Sequence, residues 1–375
     1  MALPDVLVIG GGLHGCSTAL HLARRGVKVT VLEKDHVARH ASGVNAGGVR
    51  RLGRHLAEIP LSVASMELWH GIEALVDDDC GFECHGQVKV AESEVEYELL
   101  RRRVAEVTAL GFGHEELVGR AELRAILPAI SEHCAGGIVA RADGAANPYR
   151  TTMAFKRKAE RLGAVIVEGC RVVSLARDGA AWRLGTGGGE RFSAPVVVNC
   201  AGAWADRIAG MLGEPVPLEV WALMLMISAR LPPFIKPVVG AQGRPLSFKQ
   251  FANGTVLIGG GYKGKAERDR NQTELDFNGL AESARTVWEL FPKMRGAEIV
   301  RAWAGIEARM PDDIPVIGPS STAEGVFHAF GFCGHGFQLG PIVGAVIAEL
   351  VTTGSTNLPI QPFRIERFKR APEDA

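Results

Sequence analysis

Residues 5–10, Asp-Val-Leu-Val-Ile-Gly, form a short β-branched apolar run that stops at glycine. From residue 13 the apolar positions change to helical spacing through Ala19, Leu20, Leu22 and Ala23, and Gly26 closes the segment. A second β-branched run, 27–33, ends in Glu33. The pattern predicts a βαβ unit at the start of the chain, with its helix over 13–25.

Further helices are predicted at 56–75, 92–110 and 149–162. The second carries Glu94, Glu96, Glu98 and Arg101 to Arg103, a charge run that reads as a solvated helix face. Strands follow at 164–168 and 171–177, then a hairpin around 185–189 and a buried strand at 195–200. Residues 215–261 turn apolar, strand-like and rich in Pro and Gly, which suits an antiparallel sheet. The tail returns to strand (325–330), glycine-rich turn and helix (340–350). These alternations predict an α/β protein with a discontinuous dinucleotide domain, assembled from 1–85, 140–214 and 300–375. A second, smaller domain takes 86–139 and 215–299.

With 375 residues, 47% apolar and 22% charged, the chain is long enough for two domains and too apolar for disorder. Its 42 Lys and Arg balance 42 Asp and Glu, so nothing electrostatic favours nucleic acid or an anionic membrane surface as a partner. The most apolar stretch, 220–227, falls short of the roughly 18 residues of a membrane span. The first residues lack the cationic start and apolar run of a secretory signal, which predicts a cytoplasmic protein. Seven scattered cysteines do not resemble a disulfide framework. Cys80, Cys84 and His85 lack the second ligand pair of a zinc site, so no metal is expected.

The chemistry starts at Gly10-x-Gly12-x-x-Gly15, between the first strand and helix, with Glu33 ending the second strand. In that context Gly10 permits the tight turn, Gly12 lets backbone approach a pyrophosphate, and Gly15 lets helix pack on strand. The helix N-terminus stabilises phosphate charge. Glu33 would accept hydrogen bonds from the ribose of FAD or NAD and repel the extra phosphate of NADP.

Four segments in order carry a wider likeness: Val8-Ile-Gly-Gly-Gly-Leu-His-Gly15, 40–50 (His-Ala-Ser-Gly-Val-Asn-Ala-Gly-Gly-Val-Arg), 199–206 (Asn-Cys-Ala-Gly-Ala-Trp-Ala-Asp) and 334–337 (Gly-His-Gly-Phe). The sequence resembles the D-amino-acid oxidase/glycine oxidase family of FAD-dependent oxidoreductases over about 5–350. Within it, the pattern is most similar to the sarcosine oxidase β-subunit, opine oxidase and D-hydroxyproline dehydrogenase branch. The resemblance implies a GR2-type, Rossmann-like FAD domain with a smaller substrate domain on a mixed or antiparallel sheet.

It also assigns cofactor contacts. Leu13 and His14 would join the glycines at the pyrophosphate; Glu33 and Lys34 would sit at the ribose; His40, Ala41 and Ser42 would pass the pyrophosphate and flavin. Asn45, Ala46, Gly47 and Gly48 would pack against the isoalloxazine, where glycines permit close approach. Val172 would contact adenine, Ala201 and Gly202 with Trp204 would pass the diphosphate, and Gly305 would lie near the flavin. Gly334, His335, Gly336, Phe337 and Gln338, opening the last helix, would aim amides at the flavin pyrimidine carbonyl, stabilising the reduced ring.

Two departures from the resemblance concern the substrate. Relatives carry a lysine after Gly-His-Gly-Phe, where this chain has Gln338, and an arginine after Trp-x-Gly, where it has Glu307. Arg50 or Arg51 could then hold a substrate carboxylate or lie at the surface, and Glu307 could pair with a cationic substrate or serve as a salt-bridged structural carboxylate. Tyr262, Lys263 and Lys249 are candidates for lining the pocket or assisting oxygen reduction. The segment that presents a flavin-linking cysteine in relatives, 307–315, has no thiol, so FAD is expected to be non-covalent; Cys333 reads as a small buried thiol near the flavin.

The expected activity is FAD-dependent oxidation of the C–N bond of a small secondary or D-amino acid, with hydride transfer to flavin N5 and imine hydrolysis. The alternatives are a flavoprotein subunit assembled with electron-carrying chains and an NAD-linked dehydrogenase.

Overall fold

The computed structural model describes residues 4–369. Val6–Ile9 is buried along its whole length because it lies inside a six-stranded sheet. The order is Val316–Pro319, Val326–Phe330, Val196–Asn199, Val6–Ile9, Val29–Leu32, Val165–Val167. All neighbours are parallel except the outermost pair, Val316–Pro319 on Val326–Phe330. Parallel strands need crossovers, and the helix Leu13–Arg24 supplies the first of them.

Alternation sends the strand residues to two cores. Val6, Val8, Val29 and Val31 face the helices. Leu7, Ile9 and Leu32 face Leu175, Trp182 and Leu184 of a three-stranded antiparallel sheet, Val172–Asp178, Ala181–Thr186 and Arg191–Ala194. Leu13–Arg24 packs between Pro148–Arg161 and the last helix, Gly336–Thr353. A Cβ on Gly344 would lie 2.1 Å from Ser17 Oγ, so glycine is what lets these two helices approach.

The last helix begins four residues before the predicted 340–350, because Gly340 and Pro341 hide its period and its packing supplies the order that propensity lacks. With mean hydropathy 1.4 over 18 residues it passes the length and composition test for a membrane span, which the sequence pattern places no nearer than 220–227. It is nevertheless 67% buried, packed on Leu13–Arg24 and Ile59–His70, as a core helix is. The charge-rich helix Glu94–Ala109 buries only Leu100 and Val107.

The second sheet has ten strands and is antiparallel except where Val238–Ala241 runs parallel to Gln87–Ala91. Its order is Gln272–Glu274, Lys263–Glu267, Glu219–Ser228, Val256–Gly259, Ser247–Gln250, Val238–Ala241, Gln87–Ala91, Gly136–Ala140, Glu116–Gly119. Ile299–Arg309 also belongs to it, pairing along the whole of Glu219–Ser228. The boundary at residue 300 assigns that strand to the FAD-binding segments, yet the chain re-enters the six-stranded sheet only at Val316. Periodicity marks a strand; it does not carry the identity of the strand's partner.

Candidate active site

A cavity of about 870 Å³ runs between the two sheets, near the upper end of small-molecule pockets at roughly 300–1,000 Å³. It lies at the carboxyl ends of the parallel strands: Ile9, Leu32, Cys200 and Ala329 all line it, as the topology of open α/β sheets requires of a ligand site.

At one end Gly10 turns at φ +108° and Gly12 opens the first helix, which has no capping side chain and no acid in its first turn. Leu13 N donates to Ser42 Oγ at 2.9 Å, and the helix takes up no amide before Cys16, which donates to Gly12 O. Gly12, Leu13 and His14 line the cavity, so the positive end of the helix faces it and favours a phosphate there. Gly15 does not line the cavity; a Cβ there would lie 1.9 Å from Gly10 O, so its task is helix-on-strand packing. Glu33 lines the cavity and accepts from Gly11 N at 2.6 Å and Asp35 N at 2.8 Å; burial pushes its carboxyl up against those two amides. Lys34 stands 3.9 Å over the Trp204 ring and pairs with Asp35. His40 meets Asp35 at 2.9 Å, and shielding from water pulls its imidazole down to about 4, so it is neutral. Val172, Ala201 and Gly202 line the same end.

The middle of the cavity is walled by Ala41, Ser42, Asn45, Ala46, Gly47 and Gly48. Asn45 shapes this loop, donating to Ala41 O at 2.8 Å and accepting from Gly47 N at 2.7 Å. Lys249 is 6% exposed and stands 3.1 Å from where a Cβ on Gly47 would be; burial lowers its ammonium to about 8. Gly305 lets Ile299–Arg309 close on Val44, 2.6 Å from its would-be Cβ, and Trp303 Nε1 donates to Val44 O at 2.9 Å. Gly334, His335, Gly336 and Phe337 also line the cavity, and the last helix, like the first, has no side-chain cap and no acid in its first turn. His14 stacks on Phe332 at 3.7 Å, beneath Gly336. His335 bonds Glu58 at 3.0 Å and is lowered to about 4 by shielding from water.

Three expectations change here. Gln338 is fully buried and turned out of the cavity: its amide accepts from Ser62 Oγ at 3.0 Å and donates to Ser62 O at 2.8 Å, locking the last helix to Ile59–His70. Its position one residue past the cavity-lining Phe337 rotates its side chain onto another helix face. Tyr262 and Lys263 lie off the cavity wall. Tyr262 packs toward Gly279 of the helix Phe277–Leu290, and Lys263 is exposed over Trp221 at 3.8 Å. Glu307 does line the cavity and forms no salt bridge among the described residues. It accepts one hydrogen bond, 2.6 Å from Gly334 N, and burial pushes its carboxyl up to about 7.

Arg50 and Arg51 separate. Arg51 pairs with the fully buried Asp143 at 3.0 Å, whereas Arg50 lines the cavity and, among the described residues, donates only to Leu52 O, at 2.9 Å. The sequence pattern did not single out Gln87 and Lys89, which line the cavity from Gln87–Ala91. Their alternation with Val88 and Val90 carries a signal: one face of an otherwise apolar strand is polar.

A phosphate-binding glycine turn, an acid closing the second strand and a long cavity at the ends of parallel strands define a dinucleotide-dependent oxidoreductase. The chain belongs to the FAD-dependent oxidoreductase (DAO) family, whose model matches residues 5–350. The β-subunit of sarcosine oxidase from Rhizobium meliloti (strain 1021) is 27% identical over 98% of this chain and 88% of its own length. A subunit of opine oxidase from Rhizobium meliloti is 25% identical over 97% of both. The crystal structure of L-proline dehydrogenase from P. horikoshii superposes with a TM-score of 0.91 at 27% identity, covering 98% of each chain. The protein is thus an FAD-dependent enzyme, and its uncapped helix ends, Glu33 and the glycine loop 45–48 fit that cofactor.

Proposed function

We propose that the protein oxidises the C–N bond of a small secondary or D-amino acid of the sarcosine, opine or hydroxyproline kind. Arg50 carries this reading. Its guanidinium stands on the cavity wall without an ion pair among the described residues, while neighbouring Arg51 is spent on Asp143. A free guanidinium in a shielded site suits a carboxylate, which it can hold by two parallel bonds.

FAD would be held by the glycine turn, Glu33 and the loop 45–48, and when bound would supply a two-electron acceptor for the substrate's hydride. The chain binds and orients. Arg50 holds the carboxylate, Glu307 meets the amine or a further cationic group, and the neutral His40 and His335 add no competing charge. The open end of the last helix stabilises negative charge that develops beside it. As the hydride leaves carbon, the nitrogen lone pair closes a C=N bond. Water then adds to the imine, the C–N bond breaks, and a carbonyl compound and an amine are released. Positioning the C–H bond at about 3–3.5 Å from its acceptor is the chief demand on such a site.

The test is anaerobic bleaching of the flavin absorbance by a panel of amines, followed by reoxidation with oxygen or a dye. Secondary and D-amino acids are expected to bleach it; bleaching by NADH alone would overturn the reading.

A second reading, that the chain works within a heteromeric enzyme, is favoured by relatives whose names make them subunits. Phe277 (77% exposed) and Trp288 (44%) also share one face of the helix Phe277–Leu290, and Val300 is 62% exposed on Ile299–Arg309. Light scattering on the protein from its native source distinguishes a complex from the single chain.

A further inference from the structure

Arg50 has a neighbour of the same sign. Lys89 lines the same cavity from the strand Gln87–Ala91, and a Cβ on Gly53 would lie 3.7 Å from Lys89 Nζ and 3.9 Å from Arg50 Nη1, so the two cations flank one point. Neither forms a salt bridge among the described residues, although carboxylates are close by. Asp143 is taken by Arg51 Nε and the Arg51 and Leu52 amides. Glu115 is taken by Arg103 and by Gly53 N. Glu58 bonds His335, and His335 and the buried Arg54 both hold its carboxyl below the usual range. Arg50, Arg51, Arg54, Lys89 and Arg103 thus outnumber these three carboxylates by two, and neither Arg50 nor Lys89 shares a direct bond with any of the three. Burial lowers both the Arg50 and the Lys89 pKa; Arg50 and Arg103 lower Lys89 further, while Asp143, Glu58 and Glu115 act on Arg50, and Glu115 on Lys89, in the opposite direction. Uncompensated like charges in a shielded wall are costly unless an anion completes them.

Room exists for that anion. Lys89 also borders a second recess of about 190 Å³, lined with Gly53, Arg103 and Gln242, and it is the residue common to recess and cavity. The phosphates of FAD do not supply the charge here, since their cradle is the glycine turn on the other sheet.

We propose that Lys89 binds a second carboxylate of the substrate, next to the one held by Arg50, so that the preferred substrates are secondary amines with two carboxylates: N-(carboxyalkyl) amino acids. This rests on the assignment of amino-acid oxidation above, and it sets the substrate class within it. A monocarboxylate leaves Lys89 uncompensated; a dicarboxylate neutralises both cations.

The experiment uses the FAD-loaded enzyme and two unreactive thioethers, thiodiacetate with two carboxylates and methylthioacetate with one, titrated by perturbation of the flavin spectrum. Binding of thiodiacetate at least tenfold tighter is expected. Lys89→Met should abolish that preference while leaving methylthioacetate within about twofold, and Lys89→Arg should restore it. Equal affinity for both thioethers, or a Lys89→Met loss shared equally by both, overturns the proposal. Turnover is then compared between iminodiacetate and sarcosine. If thiodiacetate is preferred but neither amine bleaches the flavin, the subsite stands and amino-acid oxidation fails. If sarcosine turns over and the preference is absent, the reverse holds.

Discussion

The Glu307 carboxylate accepts a 2.6 Å hydrogen bond from the amide of Gly334, just ahead of the last helix, and has no salt-bridge partner among the described residues. A single amide does not offset its burial, so its carboxyl titrates at about 7. In the unfolded chain the same group titrates near ~4.3. Between those values the folded protein keeps a proton that the unfolded chain has lost. Stability from this group is therefore present at low pH, falls as pH rises toward 7, and is fully lost above it. Glu307→Gln carries no charge at any pH. Calorimetry should find Tm a few degrees higher than wild type at pH 8 and unchanged near pH 4. A shift of equal size at both values would mean that ionisation of Glu307 is not the cause.

The same substitution separates substrate classes. Charge-assisted bonds in a shielded site contribute about 1.5–3 kcal/mol. At pH 8, Glu307→Gln should therefore raise KM roughly tenfold or more for N-substituted amino acids with an added cation, such as an arginine-derived opine. Neutral amines should stay within about twofold. A uniform change across both classes would make Glu307 structural.

Two of the fingerprint glycines should fail differently. At Gly12 a Cβ meets the Ser42 side chain, its hydroxyl 2.8 Å away, and no backbone within 4 Å, so Gly12→Val should leave a folded protein that does not hold FAD, read as lost absorbance near 450 nm with normal far-ultraviolet dichroism. At Gly15 the obstacle is the backbone, 1.9 Å from a Cβ, so even Gly15→Ala should lower Tm steeply or abolish folding. Full flavin occupancy in Gly12→Val would show the turn to be merely structural.

FAD should come off on denaturation. Cys333 lines the cavity, but its thiol donates to Gly331 O at 3.0 Å, and burial pushes its pKa up to about 12, so the nucleophilic thiolate is absent at neutral pH. Acid precipitation should give a colourless pellet and a yellow supernatant; a yellow pellet would contradict this.

Gln338 should matter for stability and not for substrate. Gln338→Ala leaves the Ser62 carbonyl and hydroxyl without their buried partner, a cost of about 1–3 kcal/mol. Denaturant unfolding should register that loss while KM for amines stays within about twofold. A large KM change would place the side chain nearer the substrate than its hydrogen bonds do.

Much of this protein is legible in the order of its residues because the signals are local. The strand, glycine turn, helix and acid of residues 5–33 lie within one βαβ unit, and their chemistry depends only on backbone conformation at Gly10 and Gly12 and on a helix end. The cofactor class follows from that unit, and the four matched segments follow from the same kind of short-range constraint. Even the polar face of Gln87–Ala91 is written in its alternation, although nothing in the strand itself says which cavity it faces.

What only the tertiary structure decided is the outcome of long-range competition. Arg50 and Arg51 are adjacent and chemically alike, and Asp143, far along the chain, takes one and leaves the other at the cavity. Gln338 follows four cavity-lining residues, yet the helix rotation that the cavity requires turns it to Ser62. Ile299–Arg309 could join either sheet by its own pattern and joins the one that holds Glu219–Ser228. Glu307 is a carboxylate like any other until packing partly shields it on the cavity wall and supplies no cation among the described residues. Each is a matter of partners distant in sequence, and pairing energies of that kind exist only once the chain has closed on itself.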